Sequence, residues 1–303
     1  MNVLVTGGAG FIGSNLALAL QDEHEVTVID NFSSGARRNL EGFEGILLRA
    51  DMASLDFNCL DADVVLHHAA ITDTTLNDRE KVMSVNCTAF GKLLAWCVEK
   101  NIDLVYASSA SVYGNGPAPM KEGQKPDPQN VYAQSKLLME EMARKAEGIK
   151  VIGFRYFNVY GPREQYKGAA ASMIFQLYSQ LLAGKKPRLF KYGEQQRDFV
   201  YVNDVVRANI LAMKSKVGGV FNIGSGAAAS FNEIVHILEE ALGVEREIDY
   251  FDNPYGFYQN NTLADLAHTK SVLDYEPSFS SRNGIAKYVE WLEEQRSVSE
   301  VVL

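Results

Sequence analysis

The sequence predicts an α/β protein, in which a doubly wound parallel sheet is joined to a smaller α/β C-terminal domain. The first observation is a series of short apolar runs in the first half of the chain, separated by stretches with a helical apolar face. The runs do not alternate apolar with polar residues, which is typical of strands buried on both faces of a parallel sheet. The second observation is a change of pattern after Gly161-Pro162, where helical segments and loops replace the repeating alternation.

In the first half, strands and helices follow one another in the order that parallel crossovers require. The predicted strands are 3–5, 26–29, 46–48, 64–66, 104–106 and 151–154, with helices over 11–21 and about 80–100. Ligands of doubly wound sheets bind beyond the carboxyl ends of the strands. Polar residues that directly follow these runs are therefore candidates for a site.

The second half is predicted to contain four helices and one further strand of the main sheet. The helices are about 169–183, a segment begun by the capping pair Asn203-Asp204, 231–242 closed by Gly243, and about 284–296; the strand is 220–223. We expect a first domain over 1–162, completed by about 197–225. A second domain would comprise 163–196 and 226–303.

Composition excludes several classes of function. The chain has 303 residues, of which 47% are hydrophobic, so it can bury a large core. Its formal charge of −9 disfavours nucleic acid and anionic membranes as partners. No run of about eighteen apolar residues predicts a membrane span, and the N-terminus does not resemble a signal peptide. Cys59, Cys87 and Cys97 form no CxxC pair, which favours buried thiols and a cytoplasmic protein.

The charge is unevenly distributed. From Arg155 to Arg197 the chain carries eight Lys or Arg residues and only Glu164 and Glu194 as acids. A basic segment in an acidic protein indicates either a local anionic ligand or a solvated loop region.

Gly7, Gly10 and Gly13 follow the first strand and open the first helix. The first two allow a tight turn and a close approach to a pyrophosphate at the helix N-terminus, and Gly13 allows close packing of helix on strand. The spacing predicts a dinucleotide-binding Rossmann domain, with Phe11 and Ile12 also touching the cofactor.

Asp30 ends the second strand, where a carboxylate can bind the adenosine ribose hydroxyls and would repel a 2′-phosphate. This favours NAD, tightly bound, although Arg37 and Arg38 could instead hold the phosphate of NADP. Asp51 ends the third strand, where the adenine would lie. The other predicted cofactor contacts are Asn31, Met52, His68, Ala69, Ala70 and Asn86. His67 and His68 have no partner at ligand spacing, so no metal site is predicted.

Tyr132 and Lys136 form a Tyr-x-x-x-Lys pattern, which places both side chains on one face of a helix. An ammonium beside a phenol favours the phenolate, so we expect Lys136 to lower the pKa of Tyr132 and make it a general base. Ser109 ends a strand before this helix, and its hydroxyl can bind the same substrate oxygen. Ser108 is the competing candidate.

Together these segments resemble the extended short-chain dehydrogenase/reductase family of nucleotide-sugar epimerases and dehydratases. The matching segments are TGGAGFIG from Thr6, HHAA from His67, ASSASVYG from Ala107, RYFNVYGPR from Arg155 and RDFVYV from Arg197. The resemblance implies a nucleotide-diphospho-sugar substrate and transient oxidation by a bound nicotinamide cofactor. It also implies substrate contacts from Asn158 and Arg197, and at least a dimer formed through helices near 80–100 and 131–147.

One subgroup, the ADP-glyceromanno-heptose 6-epimerases, is similar over residues 151–164, 187–190 and 197–202, and in Lys167-Gly168, Tyr258-Gln259, Thr262 and Ala264-Asp265. That resemblance implies Lys167 as a second acid or base paired with Tyr132, and Tyr258 as a substrate contact. Lys167 could also contact phosphate. Phe257 stands where the subgroup has arginine, and residues 30–35 fit UDP-sugar 4-epimerases equally well.

Several alternatives stay open at this point. The nearest is a UDP-glucose/UDP-galactose 4-epimerase, which needs Tyr132 but not Lys167. A 4,6-dehydratase would carry an Asp-Glu pair after Ser109, where this chain has Ala110-Ser111. A net reductase shares Ser109, Tyr132 and Lys136, whereas a non-catalytic dinucleotide sensor would not need them.

Overall fold

A computed structural model describes residues 1–254 and 259–301, with side chains as far as residue 297. The strands are β1 (Asn2–Thr6), β2 (Glu25–Asp30), β3 (Ile46–Arg49), β4 (Val64–His67), β5 (Asp103–Ser109), β6 (Val151–Tyr156), β7 (Asn158–Tyr160), β8 (Arg188–Phe190), β9 (Gln196–Tyr201), β10 (Gly219–Ile223), β11 (Ala228–Ser230) and β12 (Asp249–Phe251). The α-helices are α1 (Phe11–Leu20), α2 (Arg79–Met83), α3 (Ala89–Lys100), α4 (Val131–Ala143), α5 (Met173–Leu182), α6 (Val202–Lys214), α7 (Phe231–Leu242), α8 (Ala267–Leu273) and α9 (Ser281–Val301).

Seven strands form the main sheet in the order β10-β6-β5-β4-β1-β2-β3, and every neighbouring pair is parallel. The predicted doubly wound α/β fold is therefore confirmed. The chain leaves β1 for β2 on one side and returns to β4 on the other, so the winding direction reverses between β1 and β4. A crevice at the carboxyl ends of these two strands is the expected ligand site of such a sheet.

Helices cover both faces of the sheet, which explains why its strands are uniformly apolar. On one face Leu16 of α1 and Val205 of α6 pack against strand residues such as Val28. On the other, Phe90 of α3 and Met139 of α4 pack against strand residues of β1, β4 and β5. A third core lies outside the main sheet and includes residues of α5, α7 and α9.

Two smaller sheets accompany this third core. β9 lies between β11 and β7, and β8 pairs with β12. The segment near 197–225, expected to complete the first domain, is thus divided between two sheets. β9 belongs to the three-stranded sheet. By contrast, α6 packs on the main sheet, and β10 extends the main sheet beside β6.

Local differences from the sequence predictions have clear causes. The helix expected over 80–100 contains a π-helical segment, Ser84–Thr88, between α2 and α3. The proposed capping role of Asn203-Asp204 is wrong, because α6 begins at Val202 after the cap residue Tyr201. Asp204 instead accepts hydrogen bonds from the backbone nitrogens of Ser278 and Phe279. By contrast, α7 has the predicted bounds, and Gly243 ends it in the left-handed conformation.

A buried ion pair joins α4 to the sheet. The Arg155 guanidinium donates two hydrogen bonds to Glu140, at 2.8 and 2.6 Å, and both side chains are almost fully buried. Arg155 also lies 4.7 Å above the ring of Tyr113, and Ser108 donates a 2.6 Å hydrogen bond to the same carboxylate. The pair therefore fixes the helix that carries Tyr132 to strands β5 and β6.

Among the helices of the described residues, none has the length and apolar character that a membrane crossing requires.

Replacing Glu140 with Gln should lower the free energy of unfolding by about 3 kcal/mol, because the buried Arg155 charge loses its counter-charge. Chemical denaturation would measure this difference. The matched control is Glu141→Gln on the exposed side of the same helix, where a change within about 0.5 kcal/mol is expected. Equal losses in the two variants would contradict a stabilising role for the ion pair.

Candidate active site

The glycine loop between β1 and α1 lies directly against the end of β4. A Cβ atom at Gly7, where φ is +67°, would come within 2.6 Å of the Ala69 nitrogen. A Cβ atom at Gly13 would come within 2.3 Å of the Gly7 carbonyl oxygen. Both glycines are therefore required by close packing at the point where the winding of the sheet reverses.

Gly10 has a different environment. Of the described atoms, a Cβ there would approach only the Gly7 oxygen, at 3.1 Å, so the backbone is open on that side. Gly10 precedes α1 and has no side chain to cap the first-turn amides of Phe11 and Ile12. Uncapped amides at the positive end of a helix are a binding site for a phosphate group. The loop thus fits the pyrophosphate of a dinucleotide.

Polar residues at the ends of β2 and β3 lie beside this loop. The Asp30 carboxylate accepts hydrogen bonds from the backbone nitrogens of Ala9, at 2.9 Å, and Phe32, at 2.7 Å. The Asn31 amide donates a 2.8 Å hydrogen bond to Asp51, and backbone bonding from Ala53 together with Asn31 lowers the pKa of Asp51.

This geometry places Asp30, Asn31 and Asp51 in one row, where the ribose and adenine of a dinucleotide would lie. Met52 is buried next to Asp51. Arg37 and Arg38 are exposed in the short 3₁₀ helix that follows the β2 loop.

The segment after β4 is held by Asn86 of the π-helical turn. The buried Asn86 amide bonds both the nitrogen and the oxygen of Ile71, at 2.8 and 3.0 Å, and donates to the Ser135 hydroxyl at 2.9 Å. Both protons of the amide are therefore used within the protein. Asn86 positions the loop that contains Ala69 and Ala70 against α4.

His67 is buried at the end of β4, and His68, which follows it, is half-buried. His67 Nδ1 lies 2.8 Å from the Thr6 hydroxyl, and His68 Nε2 lies 3.0 Å from the Tyr156 hydroxyl. Burial lowers the pKa of His67 to about 3 and that of His68 to about 4, so both rings are neutral at physiological pH. Within the described ranges, no group of three or more His, Cys, Asp or Glu side chains has an arrangement that could hold a metal ion.

Tyr132, Ser109 and Lys136 converge at the end of β5. Asn130 caps α4 by accepting a 2.8 Å hydrogen bond from the Ala133 nitrogen, which starts the helix one residue before Tyr132. The Ser109 hydroxyl faces Tyr132 and favours the ionised form of its phenol. Lys136 is fully buried, and its Nζ lies 5.8 Å from the centre of the Tyr132 ring. Ser108 is directed away from this group, toward Glu140.

The predicted lowering of the Tyr132 pKa by Lys136 is wrong. Burial raises the pKa of Tyr132 above its ordinary value, and the nearby Ser109 hydroxyl only partly opposes this. The Lys136 ammonium donates a 2.7 Å hydrogen bond to the Ala107 carbonyl oxygen. Burial also lowers the pKa of Lys136 to about 8. Desolvation therefore dominates the titration of both side chains.

Lys167 lies in a short 3₁₀ segment, Gln165–Ala170, within the basic stretch of the chain. Its Nζ is 5.5 Å from the centre of the Phe11 ring, at the first residue of α1. Burial lowers the pKa of Lys167, and the nearby Glu164 carboxylate acts in the opposite direction. Lys167 is therefore next to the glycine loop, although the two segments are more than 150 residues apart in the chain.

Two predicted substrate contacts lie on neighbouring strands of the three-stranded sheet. Asn158 is exposed at the start of β7 and pairs in register with Phe199 of β9. Arg197 lies two residues earlier on β9, where its Nη1 donates to the carbonyl oxygens of Gln196 and Asn260. Tyr258, the remaining predicted contact, and the noted Phe257 lie outside the described residues.

Sequence reasoning missed the structural role of Asp198, which follows Arg197. This fully buried carboxylate accepts hydrogen bonds from the backbone nitrogens of Ser225, Gly226 and Ala264, at 2.6 to 3.0 Å. It joins three segments around Arg197. An aspartate inside an apolar strand run was the available signal, because a buried carboxylate requires several donors.

Comparison with known proteins agrees with this geometry. A family model described as the NAD dependent epimerase/dehydratase family matches residues 3–224. The structure of Helicobacter pylori ADP-L-glycero-D-manno-heptose-6-epimerase is 43% identical, with a TM-score of 0.92 and 96% of each chain covered.

Two solved 4-epimerases are also similar. UDP-glucose 4-epimerase from Thermotoga maritima is 30% identical, with a TM-score of 0.91, and covers 97% of this chain and 99% of its own. UDP-glucuronic acid 4-epimerase from Bacillus cereus, in complex with UDP-glucuronic acid and NAD, is 31% identical, with a TM-score of 0.87, and covers 96% of this chain and 100% of its own. The match to the family model and the full-length similarity show that this chain belongs to the NAD dependent epimerase/dehydratase family.

Proposed function

We propose that this protein is a nucleotide-diphospho-sugar epimerase that inverts one carbinol carbon by transient oxidation. The observation that carries the proposal is the convergence of Ser109, Tyr132 and Lys136 at the end of β5, beside a glycine loop that fits a pyrophosphate. An isomerase of this type returns its cofactor to the starting state in each cycle. The cofactor is therefore expected to stay bound.

NAD is the cofactor that the site fits. The open backbone at Gly10 and the first amides of α1 would hold its pyrophosphate, Asp30 its adenosine ribose, and the Asn31–Asp51 pair its adenine end. Bound NAD supplies the hydride acceptor and donor that a transient oxidation needs. A carboxylate at Asp30 would repel a 2′-phosphate, which favours NAD over NADP.

The residues of the chain would manage the proton of the reacting hydroxyl. Tyr132 would accept this proton and later return it, while Ser109 would orient the same oxygen through its own hydroxyl. Because Lys136 is buried one helical turn beyond Tyr132, its ammonium would bind the nicotinamide ribose and supply positive charge to the site.

Lys167 would act as the second acid or base. Inversion exposes both faces of the oxidised carbon, so a proton donor or acceptor on the opposite side from Tyr132 is useful. The position of Lys167 over Phe11 supports a place at this site, and burial keeps its pKa below the ordinary lysine value. Asn158 and Arg197 would contact the substrate diphosphate, and Tyr258 the rest of the substrate.

The substrate that these observations favour is ADP-glycero-manno-heptose, inverted at carbon six. The supporting facts are the Lys167 segment and the 43% identity with the H. pylori heptose epimerase, against 30% with a UDP-glucose 4-epimerase. The second candidate is a UDP-glucose/UDP-galactose 4-epimerase. It is favoured by the residues after Asp30 and does not require Lys167.

The main sheet with its two cores, and the third core outside it, suggest separate roles for the two parts of the chain. We propose that residues 1–162, completed by α6 and β10, bind the dinucleotide. The third core, with α5, α7 and α9, would then support the nucleotide-sugar site.

Proton NMR of the purified protein with ADP-D-glycero-manno-heptose, without added cofactor, should show new heptose signals. A parallel tube with UDP-glucose should remain unchanged. Conversion of UDP-glucose alone would move the protein to the 4-epimerases.

The matched variant for this experiment is Lys167→Met, which removes the amine and keeps an unbranched side chain. We expect roughly a hundredfold loss of heptose turnover, the scale of a lost acid or base. Full activity of the variant on either sugar would remove Lys167 from the chemistry.

Replacing Tyr132 with Phe should reduce turnover by roughly 10²- to 10⁴-fold, because the proton acceptor is lost, while the bound cofactor is retained. Initial rates and the absorbance spectrum of the purified protein would measure the two effects. The control is Tyr106→Phe: Tyr106 is buried on β5, and its hydroxyl has no hydrogen-bond partner among the described residues. A Tyr132→Phe protein with full activity would contradict the assignment of Tyr132 as the proton acceptor.

We further propose that the protein forms at least a dimer through its two long helical segments. Val85 in the π-helical turn and Leu138 on α4 are 37% and 39% exposed, although both helices also pack on the sheet. Apolar side chains on neighbouring exposed helix faces favour association of two copies. Sedimentation should give at least twice the chain mass of 33.5 kDa, and Leu138→Glu should shift it toward monomer. A wild-type monomer at micromolar concentration would refute this.

A further inference from the structure

The loop that carries Lys167 is closed by one buried carboxylate. Glu164 has no solvent exposure, and its oxygens accept hydrogen bonds from the Gly161 nitrogen, at 3.1 Å, and from the Ser172 hydroxyl and nitrogen, at 2.8 and 2.6 Å. Gly161 and Ser172 lie at opposite ends of the loop. A single side chain therefore holds the two ends together.

The start of the same loop is attached to the nucleotide-binding helix. Asn15 of α1 donates a 2.9 Å hydrogen bond to the Pro162 carbonyl oxygen and accepts a 3.2 Å hydrogen bond from Arg163 Nη1. The backbone nitrogen of Lys167 also donates a 2.9 Å hydrogen bond to the backbone carbonyl oxygen of Glu164. These bonds leave the loop little freedom, and they place the Lys167 ammonium over Phe11.

The hydrogen bonds from the Ser172 and Gly161 backbone nitrogens favour the ionised form of Glu164, and the Lys167 charge adds to this effect. Tyr160 of β7 and Tyr288 of α9 face this carboxylate, and burial together with the Glu164 charge raises the pKa of both phenols. Lys167 is the cation whose pKa the Glu164 charge raises, and Lys167 in turn favours the ionised form of Glu164. Removing the negative charge of Glu164 would make the half-buried Lys167 ammonium less stable.

We propose that Glu164 is the positioning residue for Lys167: it closes the loop from Gly161 to Ser172, holds the Lys167 ammonium in its place over Phe11, and adds a nearby negative charge. The proposal rests on the proposed function only for the role of Lys167 in turnover. Glu164 is fully buried and its hydrogen bonds go to Gly161 and Ser172, so its effect on the reaction would pass through Lys167. A carboxylate is needed, because both of its oxygens accept hydrogen bonds here, whereas an amide has only one accepting oxygen.

The test is Glu164→Gln, with the titration of Lys167 followed by NMR after reductive methylation of the lysines with carbon-13 formaldehyde. The Lys167 signal is the one missing from Lys167→Met. We expect its pKa to fall, because the opposing Glu164 charge is lost while burial remains. In parallel, kcat for the heptose substrate should fall roughly ten- to a hundredfold, with a smaller change in KM.

The matched control is Asp204→Asn, another buried carboxylate that holds a loop through two backbone nitrogens. It should lower stability without moving the Lys167 titration, which separates a general structural loss from the proposed role. An unchanged Lys167 titration in folded Glu164→Gln protein would overturn the proposal.

If Glu164→Gln does not fold, Ser172→Ala tests the proposal instead. This variant removes the hydrogen bond from the Ser172 hydroxyl and keeps the Glu164 charge. It should lower kcat severalfold and leave the Lys167 pKa unchanged; an unchanged kcat would overturn the proposal. The titration needs no turnover. A protein that converts neither sugar would therefore refute the proposed function alone.

Discussion

The close contact between the glycine loop and the end of β4 is the constraint on which the rest of the site depends. Gly7 lies so near the Ala69 backbone that no side chain fits between them, and Gly13 lies equally close to Gly7. This contact fixes the first turn of α1 at the reversal point of the sheet. Phe11, Lys167 and the row formed by Asp30, Asn31 and Asp51 are all arranged around that turn.

Buried carboxylates hold the loops around the site. Glu140 bonds an arginine, and Glu164 bonds the two ends of its own loop, whereas Asp198 and Asp204 accept hydrogen bonds from backbone amides of segments distant in the chain. An ionised carboxylate in the interior is costly unless several donors surround it. Each of these residues therefore specifies one loop arrangement, since any other would leave the charge without partners.

Burial also controls the titration of the reacting groups. It raises the pKa of Tyr132 and lowers those of Lys136 and Lys167. In the protein alone, Lys136 therefore loses its proton at a lower pH than Tyr132 does. Activation of Tyr132 as a base thus needs a favourable interaction beyond the Lys136 charge, and the nearby Ser109 hydroxyl supplies part of it.

The sequence by itself determined the fold class, the succession of the main strands along the chain and the ends of α7. It did so because strand burial, helix periodicity and glycine placement are local patterns that read directly as structure. It also identified Ser109, Tyr132 and Lys136 as one group, since a strand end and one helical turn are short-range features. The tertiary structure decided which of Ser108 and Ser109 faces Tyr132, where β9 pairs, and what Asp204 binds. It also reversed the expected pKa shift of Tyr132 and showed Glu164 as the closure of the Lys167 loop. These features depend on desolvation and on hydrogen bonds between distant segments, which spacing along the chain does not encode.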